Sequence, residues 1–261
     1  MDTKANYNPP LFKEGPSSGE PLQEGSSLPE EFYRPGMSFY FLAKRTFDLI
    51  VSFLVILCVL SWLLPLLALL IILDSGMPVF FLQKRVGRGG RLFTCYKLRT
   101  MVPNKEADER AALEYDSRIT RLGRLLRRTS LDELPQFFNV LAGSMSIVGP
   151  RPHMITDCRF FASVIAGYAF RNHVRPGITG LAQVKGFHGP VSEIGNIFGR
   201  YQWDAFYIRH AGFLLDLRII RRTLADFFLI ARHFIFIRKY AYKNAESSLG
   251  ARVHGDKDLY Q

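Results

Sequence analysis

Apolar and polar positions follow several distinct rhythms along this chain, and each rhythm predicts an element. From Leu49 to Leu73 no charge occurs over 25 positions, with Asp48 and Asp74 bracketing the run. As a helix it would measure about 37 Å, enough to cross a hydrocarbon core of about 30 Å. Pro65 lies near its middle. Proline removes a backbone donor and clashes with the carbonyl four residues back, here that of Ser61, so a break is expected around Ser61 and Pro65. The twenty residues before the run carry three basic residues and the twenty from Asp74 carry four, a balance that favours both ends on the cytoplasmic side. A helix that enters, bends and returns fits both observations, and a kinked single-pass helix is the alternative at this level.

Residues 79–101 read as two short strands around Gly87-Arg88-Gly89-Gly90, a hairpin. Residues 104–115 read as a helix opened by Asn104. Arg118, Arg121, Arg124 and Arg127 then recur at every third position with Ile119, Leu122 and Leu125 between them, the pattern of a basic amphipathic helix. Such a helix presents either a solvated face or a surface for phosphates and lipid headgroups. Phe213–Tyr240 is apolar with helical period but carries five arginines, which forbids a second hydrophobic span. It suits a helix lying in the membrane interface, a core helix packed on the remainder, or each over different stretches.

Composition narrows the partners. The net charge of +11 implies an anionic partner, and an aromatic content of 13%, dominated by 22 Phe, leans toward lipid. A nucleic-acid binder would explain the charge alone, and the apolar run argues against it. Cys58, Cys95 and Cys158 form no CxxC pair, which fits a reducing compartment, and the histidines show no HExxH spacing, so no transition-metal site is expected. Residues 1–36 hold six Pro, four Gly and four Ser and lack a signal-peptide pattern, so they read as a disordered cytoplasmic tail, as does the stretch after Asn244.

The candidate chemistry centres on Asp132 and Glu133. Ser130-Leu131-Asp132-Glu133 fits a capping box at the start of the helix through Phe137 and Val140, a purely structural role for both acids. The surroundings suggest more. A carboxylate at a positive helix end stays ionised, nearby arginines offset the charge of an approaching phosphate, and paired carboxylates suit Mg²⁺. Arginines on stiff Gly-Pro backbones follow in GPRP at 149–152 and RPG at 175–177, while Lys97 and Arg99 alternate on the second strand and share a face.

These pieces together resemble the bacterial sugar transferase family, the monotopic polyprenyl-phosphate phosphoglycosyl transferases. The likeness runs in order over about residues 43–225: AKRTFDLIVS, the proline-broken apolar helix, YKLRTM, SLDELPQFFNVLAGSMSIVGPRP, VRPGITGLAQV and DAFYIRHAGFLLDLRII. It implies a mostly helical α+β fold, monotopic in the membrane, with a re-entrant N-terminal helix (37–78) and interfacial amphipathic helices around a small cytoplasmic catalytic domain (79–243), and a flexible tail (244–261). It implies that Asp132 is the nucleophile toward the β-phosphate of a UDP-sugar, with undecaprenyl phosphate as acceptor and UMP released. Glu133 is the dyad partner, associated with Mg²⁺, so that Asp132 and Glu133 are also the metal residues. Lys97, Arg151 with Pro152, and Arg175 match substrate-binding positions, and Arg127 and Asp204 match a supporting ion pair. The family's membrane helix breaks at Ser-Pro, whereas here Leu64 precedes Pro65 and the nearest serine is Ser61. KGFHGPV at 185–191 departs from the asparagine-glycine-arginine motif of many acetamido-sugar relatives, which points to a neutral hexose such as galactose or glucose.

The resemblance places the protein in the bacterial inner membrane, initiating exopolysaccharide or another surface glycan. It would be a short form without the large N-terminal membrane domain of many hexose-specific relatives, and a homodimer is left open. The contrasting expectation is a non-catalytic basic scaffold anchored in the membrane, which leaves the dyad and the stiff arginine loops unexplained.

Overall fold

In the computed structural model the apolar run becomes one continuous helical rod, α1 (Met37–Val55), a π-helical stretch Ile56–Leu60 and α2 (Ser61–Ser75). The structure describes residues 37–103, 116–187, 194–230 and 232; the expected tails and the expected helix at 104–115 lie outside them. The backbone remains helical through Pro65, and the irregularity falls one turn earlier, at Ile56–Leu60. A π-turn inserts one residue into the ladder and leaves carbonyls poorly paired, which absorbs the missing proline donor and ring clash. The Ser61 hydroxyl donates to the Leu57 carbonyl at 2.6 Å and the Trp62 indole to that of Cys58 at 2.9 Å, satisfying backbone groups that lipid could not. Only 17% of the most apolar 18-residue window is buried within the protein, so lipid is the natural cover for the rest.

Beyond the rod come β1 (Phe80–Val86), β2 (Leu92–Leu98), α3 (Arg121–Arg128), α4 (Gln136–Leu141), β3 (Ser146–Val148), α5 (Ile155–Val164), β4 (Gly177–Thr179), α6 (Leu181–Val184), α7 (Ile194–His210) and α8 (residues 213–230). The arrangement is α+β and mostly helical: β1 and β2 form the expected antiparallel hairpin, and β3 and β4 a short parallel pair. Its turn uses Gly89 and Gly90 at φ of 65° and 76°, where a side chain would be strained.

Both halves of the rod are fastened to this one domain. On α1, the buried Asp48 accepts from the Ser146 hydroxyl (2.7 Å) and the Ile147 amide (3.1 Å), and Arg45 donates to the Val140 and Leu141 carbonyls at the end of α4. Tyr40 and Lys44 each reach Asp216 of α8 at 2.8 Å, and Tyr207 of α7 donates to its other oxygen at 2.8 Å. On α2, Leu67 and Ile71 pack with Val79, Leu98 and Leu126. Arg99 donates to the carbonyls of Ser75 (2.9 Å), Met77 (3.0 Å) and Gly76, so it caps the rod and does not share the site with Lys97.

The main core joins α4, β3, β4, α7 and α8 through Val140, Met145, Val148, Tyr207, Ile208 and Ile219. α8 buries Asp216 and Ile219 while exposing Leu214, Leu217, Leu224 and Phe228 beside Arg218, Arg221 and Arg222, so one face is core and the other suits an interface. On α3 the buried positions are Gly123 and Leu126, whereas Leu125 is 42% exposed, since a three-residue repeat drifts off a 3.6-residue helix. Gly123 lets α3 lie directly on Thr100: a Cβ there would stand 2.0 Å from the Thr100 carbonyl oxygen. Gly123→Ala is therefore expected to destabilise the protein by about 1–3 kcal/mol. Gly195→Ala, on α7, where the space is open, should lose nothing; thermal unfolding of the two variants in the same detergent checks the contrast.

Candidate active site

The β1–β2 register pairs Phe81 with Lys97, Gln83 with Cys95 and Arg85 with Phe93. Side chains alternate along a strand, so Gln83, Arg85, Cys95 and Lys97 all project from one face. Asn139 fixes α4 against this hairpin: its Oδ1 accepts from the Tyr96 amide (2.9 Å) and its Nδ2 donates to the Thr94 carbonyl (2.7 Å). The turn that precedes α4 is thereby held over Lys97, and Lys97 Nζ meets Glu133 Oε1 at 2.8 Å.

That turn is not the expected capping box. Ser130 sits in the left-handed region (φ 55°, ψ 18°) with no capping bond, Leu131–Glu133 forms a 3-10 turn, and Pro135 leads into α4. Coming straight out of α3, the chain has to reverse at Ser130, so Glu133 is turned away from the Ser130 amide and toward the hairpin. Its carboxylate is instead shared: Arg151 donates to Oε1 at 2.6 Å and to Oε2 at 3.2 Å, opposite Lys97. Burial pushes the Glu133 carboxyl up, but Arg151 and Lys97 outweigh it and hold the group well below the usual carboxylate range.

Asp132 is in the reverse condition. It is 8% exposed, and among the described residues no donor is bonded to its carboxylate. Burial pushes its pKa up to about 6, with Lys97 opposing and ionised Glu133 adding to the rise. Adjacent acids are thus driven apart, one held ionised by paired cations and the other left basic and unbonded.

The GPRP loop is clamped from three sides. Arg171 donates to the Arg151 carbonyl (2.6 Å), Arg85 to that of Pro152 (3.1 Å), and the Val86 amide to that of His153 (3.1 Å). Arg171 is in turn held by Asp204 at 2.8 Å, both nearly inaccessible. The expected Arg127–Asp204 pair is therefore not formed. Arg127 donates to the Thr100 hydroxyl at 2.8 Å on the Asp132 side, while α7 presents Asp204 inward behind the loop, where Arg171 already lies. His153 is enclosed by Tyr168, Arg171 and Arg200, and burial together with those cations keeps it neutral.

Arg175 is separated from the dyad. Its Nε donates to the Gly143 carbonyl at 2.9 Å, and its charged neighbours are Arg45, Arg88 and Asp48. Glycines bring its loop against GPRP: a Cβ on Gly149 would lie 2.4 Å from the Arg175 carbonyl oxygen, one on Gly177 2.1 Å from the Gly149 amide, and one on Gly180 2.2 Å from the Gly149 carbonyl. Two small cavities meet at Arg151 and Pro152. One is lined by Arg85, Cys95, Lys97, Gln136, Arg151 and Pro152. The other runs past Gly87, Pro150, Arg171, Asn172 and Pro176. Of the sequence-predicted residues the structure gathers Lys97, Arg127, Asp132, Glu133, Arg151 and Pro152. Arg85, Gln136, Asn139 and Arg171 were missed; alternation with Lys97 across the hairpin was the one signal for Arg85.

Residues 39–229 match the model of a family described as bacterial sugar transferase. The chain belongs to that family. It is 42% identical over 187 residues to the UDP-glucose:undecaprenyl-phosphate glucose-1-phosphate transferase of Klebsiella pneumoniae, covering 71% of this chain and 40% of that protein. A Xanthomonas campestris pv. campestris protein of the same name is 49% identical over 153 residues, 58% of this chain and 32% of the relative. The exopolysaccharide production protein PSS of Rhizobium leguminosarum bv. phaseoli is 40% identical over 188 residues, 70% of this chain and 94% of its own length. The chain thus spans less than half the length of the first two bacterial sugar transferases.

The dyad fits a hard divalent cation in a limited way. Asp132 brings unbonded carboxylate oxygens, and Glu133 Oε2, which accepts one bond where Oε1 accepts two, keeps a free lone pair. Two protein carboxylates with the rest of the sphere left to phosphate and water is the usual manner of Mg²⁺.

The raised Asp132 pKa sets a stability prediction. A carboxyl whose folded pKa exceeds its unfolded value of 3.8 weakens the fold as pH rises from about 4 to about 6, and the loss is complete above that. Asp132→Asn is expected to stabilise the protein at pH 8 by on the order of 2 kcal/mol, with the gain vanishing near pH 4. Thermal unfolding at the two pH values measures it.

Proposed function

We propose that the protein transfers a hexose 1-phosphate from a UDP-sugar to undecaprenyl phosphate through a covalent intermediate on Asp132. The carrying observation is the buried, unbonded Asp132 carboxylate beside a Glu133 pinned between Lys97 and Arg151. The names of the relatives supply the donor and acceptor classes. An Asp132 oxygen attacks the β-phosphorus, and the bond from that phosphorus to the bridging oxygen breaks, so UMP leaves with the electron pair. An oxygen of undecaprenyl phosphate then attacks the same phosphorus, the acyl-phosphate bond breaks, and the carboxylate is regenerated.

The residues divide this work. Lys97 and Arg151 offset phosphate charge that would repel the nucleophile, and ionised Glu133 keeps both cations in place and Asp132 basic. Arg171, held by Asp204, fixes the Arg151 loop. Bound Mg²⁺ on Asp132 and Glu133 would further neutralise the diphosphate. A basic membrane scaffold has no use for a carboxylate held without a partner. We assign the product to the start of exopolysaccharide or another surface glycan. A neutral hexose is the sugar we propose, on the KGFHGPV stretch at 185–191.

The same domain touches Asp48 and Arg45 before the apolar stretch and Ile71 and Ser75 after it. A helix crossing the bilayer would put these two groups on opposite faces, which supports a re-entrant, monotopic seat in the inner membrane with the catalytic domain in the cytoplasm. Leu42→Cys and Asp74→Cys should both resist an impermeant thiol reagent in intact cells and react after permeabilisation. Labelling of either in intact cells overturns this topology.

Activity is tested by incubating the purified protein with a UDP-hexose panel and undecaprenyl phosphate. UMP release should need Mg²⁺ and fall as pH drops through about 6, because Asp132 protonates. Hydroxylamine-sensitive label from a β-³²P donor should appear on the parent and be absent from Asp132→Asn. No UMP from any UDP-hexose, or label retained on Asp132→Asn, rejects the mechanism.

A further inference from the structure

The small cleft beside the dyad has three cations in its wall, Arg85, Lys97 and Arg151, and two of them share the single carboxylate of Glu133. Arg85 is the third, and no family motif singled it out. Its NH1 donates to the Pro152 carbonyl at 3.1 Å and its NH2 to the Gln83 side chain, while its Nε is buried without a partner. Neither bond partner is charged. Its charged neighbours are Arg151, which repels it, with Asp157 and Glu133 further down in influence, and no salt bridge to either forms. A guanidinium that is desolvated, repelled by another arginine and given neutral acceptors is poorly compensated as it stands. The protein nonetheless holds it on a strand in register with Phe93, two residues from the Gln83–Cys95 pair, of which Cys95 also lines the cavity.

Such an arrangement is complete only with a multivalent anion. A diphosphate carries two or more negative charges on phosphoryl groups joined by a single bridging oxygen and presents oxygens to several donors at once, matching cations that converge from two elements. Arg175, by contrast, faces Arg45 and Arg88 and donates to Gly143, away from this wall.

We infer that Arg85 is a donor-binding residue that, with Lys97 and Arg151, grips the diphosphate of the nucleotide sugar in the cavity next to Asp132. The inference rests on the nucleotide-sugar reading above. Arg85 touches the diphosphate and leaves the acceptor lipid alone, so its loss acts on donor binding.

The test separates this from turnover by using Asp132→Asn as the background, in which binding is read without chemistry. UDP affinity is measured by titration calorimetry on full-length Asp132→Asn in detergent, and on the same chain with Arg85→Gln or Arg85→Lys added. Arg85→Gln should weaken UDP binding at least tenfold and flatten its dependence on salt, and Arg85→Lys should recover most of the loss. In the active chain, Arg85→Gln should raise KM for the UDP-sugar and leave KM for undecaprenyl phosphate within twofold. Thermal unfolding of each variant identifies one that fails to fold, and Arg85→Lys, which keeps a cation and a donor for Pro152, then carries the comparison through its salt dependence against the parent. UDP affinity unchanged within twofold in Arg85→Gln overturns the inference. Equal losses with Gln and Lys, with salt dependence unchanged, also overturn it, because Arg85 would then act only by holding Pro152. Absence of turnover in the parent, with the UDP result as expected, would reject the transferase reading and leave the anion grip standing.

Discussion

A carboxylate held between two cations organises this protein. Glu133 draws Lys97 from the hairpin and Arg151 from the GPRP loop onto one point, joining elements far apart in the chain. Removing one partner of such a buried group leaves uncompensated charge, which costs far more than the assembled cluster gains over neutral residues. The cluster is better understood as fixing one geometry than as a source of stability. Asp132 inherits its properties from it, since burial and the ionised neighbour make it basic while Lys97 and Arg151 direct their bonds to Glu133.

The support extends backward in successive layers. Behind Arg151 stands Arg171, behind Arg171 stands Asp204, and beside them a neutral His153 fills the space between cations without adding to their repulsion. The apolar rod is attached by similar means, with Asp48 and Asp216 buried where apolar packing alone would allow the rod to slide or rotate. Directional bonds to two α1 turns and a cap on the end of α2 give the apolar helix a defined seat on the rest of the protein.

Much of this was legible in order but not in partnership. The hairpin, the apolar rod and the dyad follow from local patterns, because strand alternation, helix length and charge-free runs are read within a short window. Ser130-x-x-Glu133 satisfies a capping box on paper, yet the same letters form a left-handed reversal and a 3-10 turn when a helix ends immediately before them. Pro65 was expected to mark the bend, but the ladder relaxed upstream, where Ser61 and Trp62 could donate to the freed carbonyls. Lys97 and Arg99 look equivalent on a strand, and only the end of α2 claims the second. Asp204 with Arg171, and Arg85 with Pro152, span separations at which a single sequence carries no pairing signal.

The seam between the GPRP and RPG loops is made almost wholly of backbone, with Gly149, Gly177 and Gly180 packed too closely for even a methyl group. A joint without side chains has no adjustable parts. Divergence among enzymes built this way cannot proceed by gradual repacking there, since the first step in any direction is a collision. Variation is channelled instead to side chains on the rims of the two cavities, such as Asn172, where substitutions can accumulate one at a time. The fold separates what evolution may vary from what it has to inherit whole.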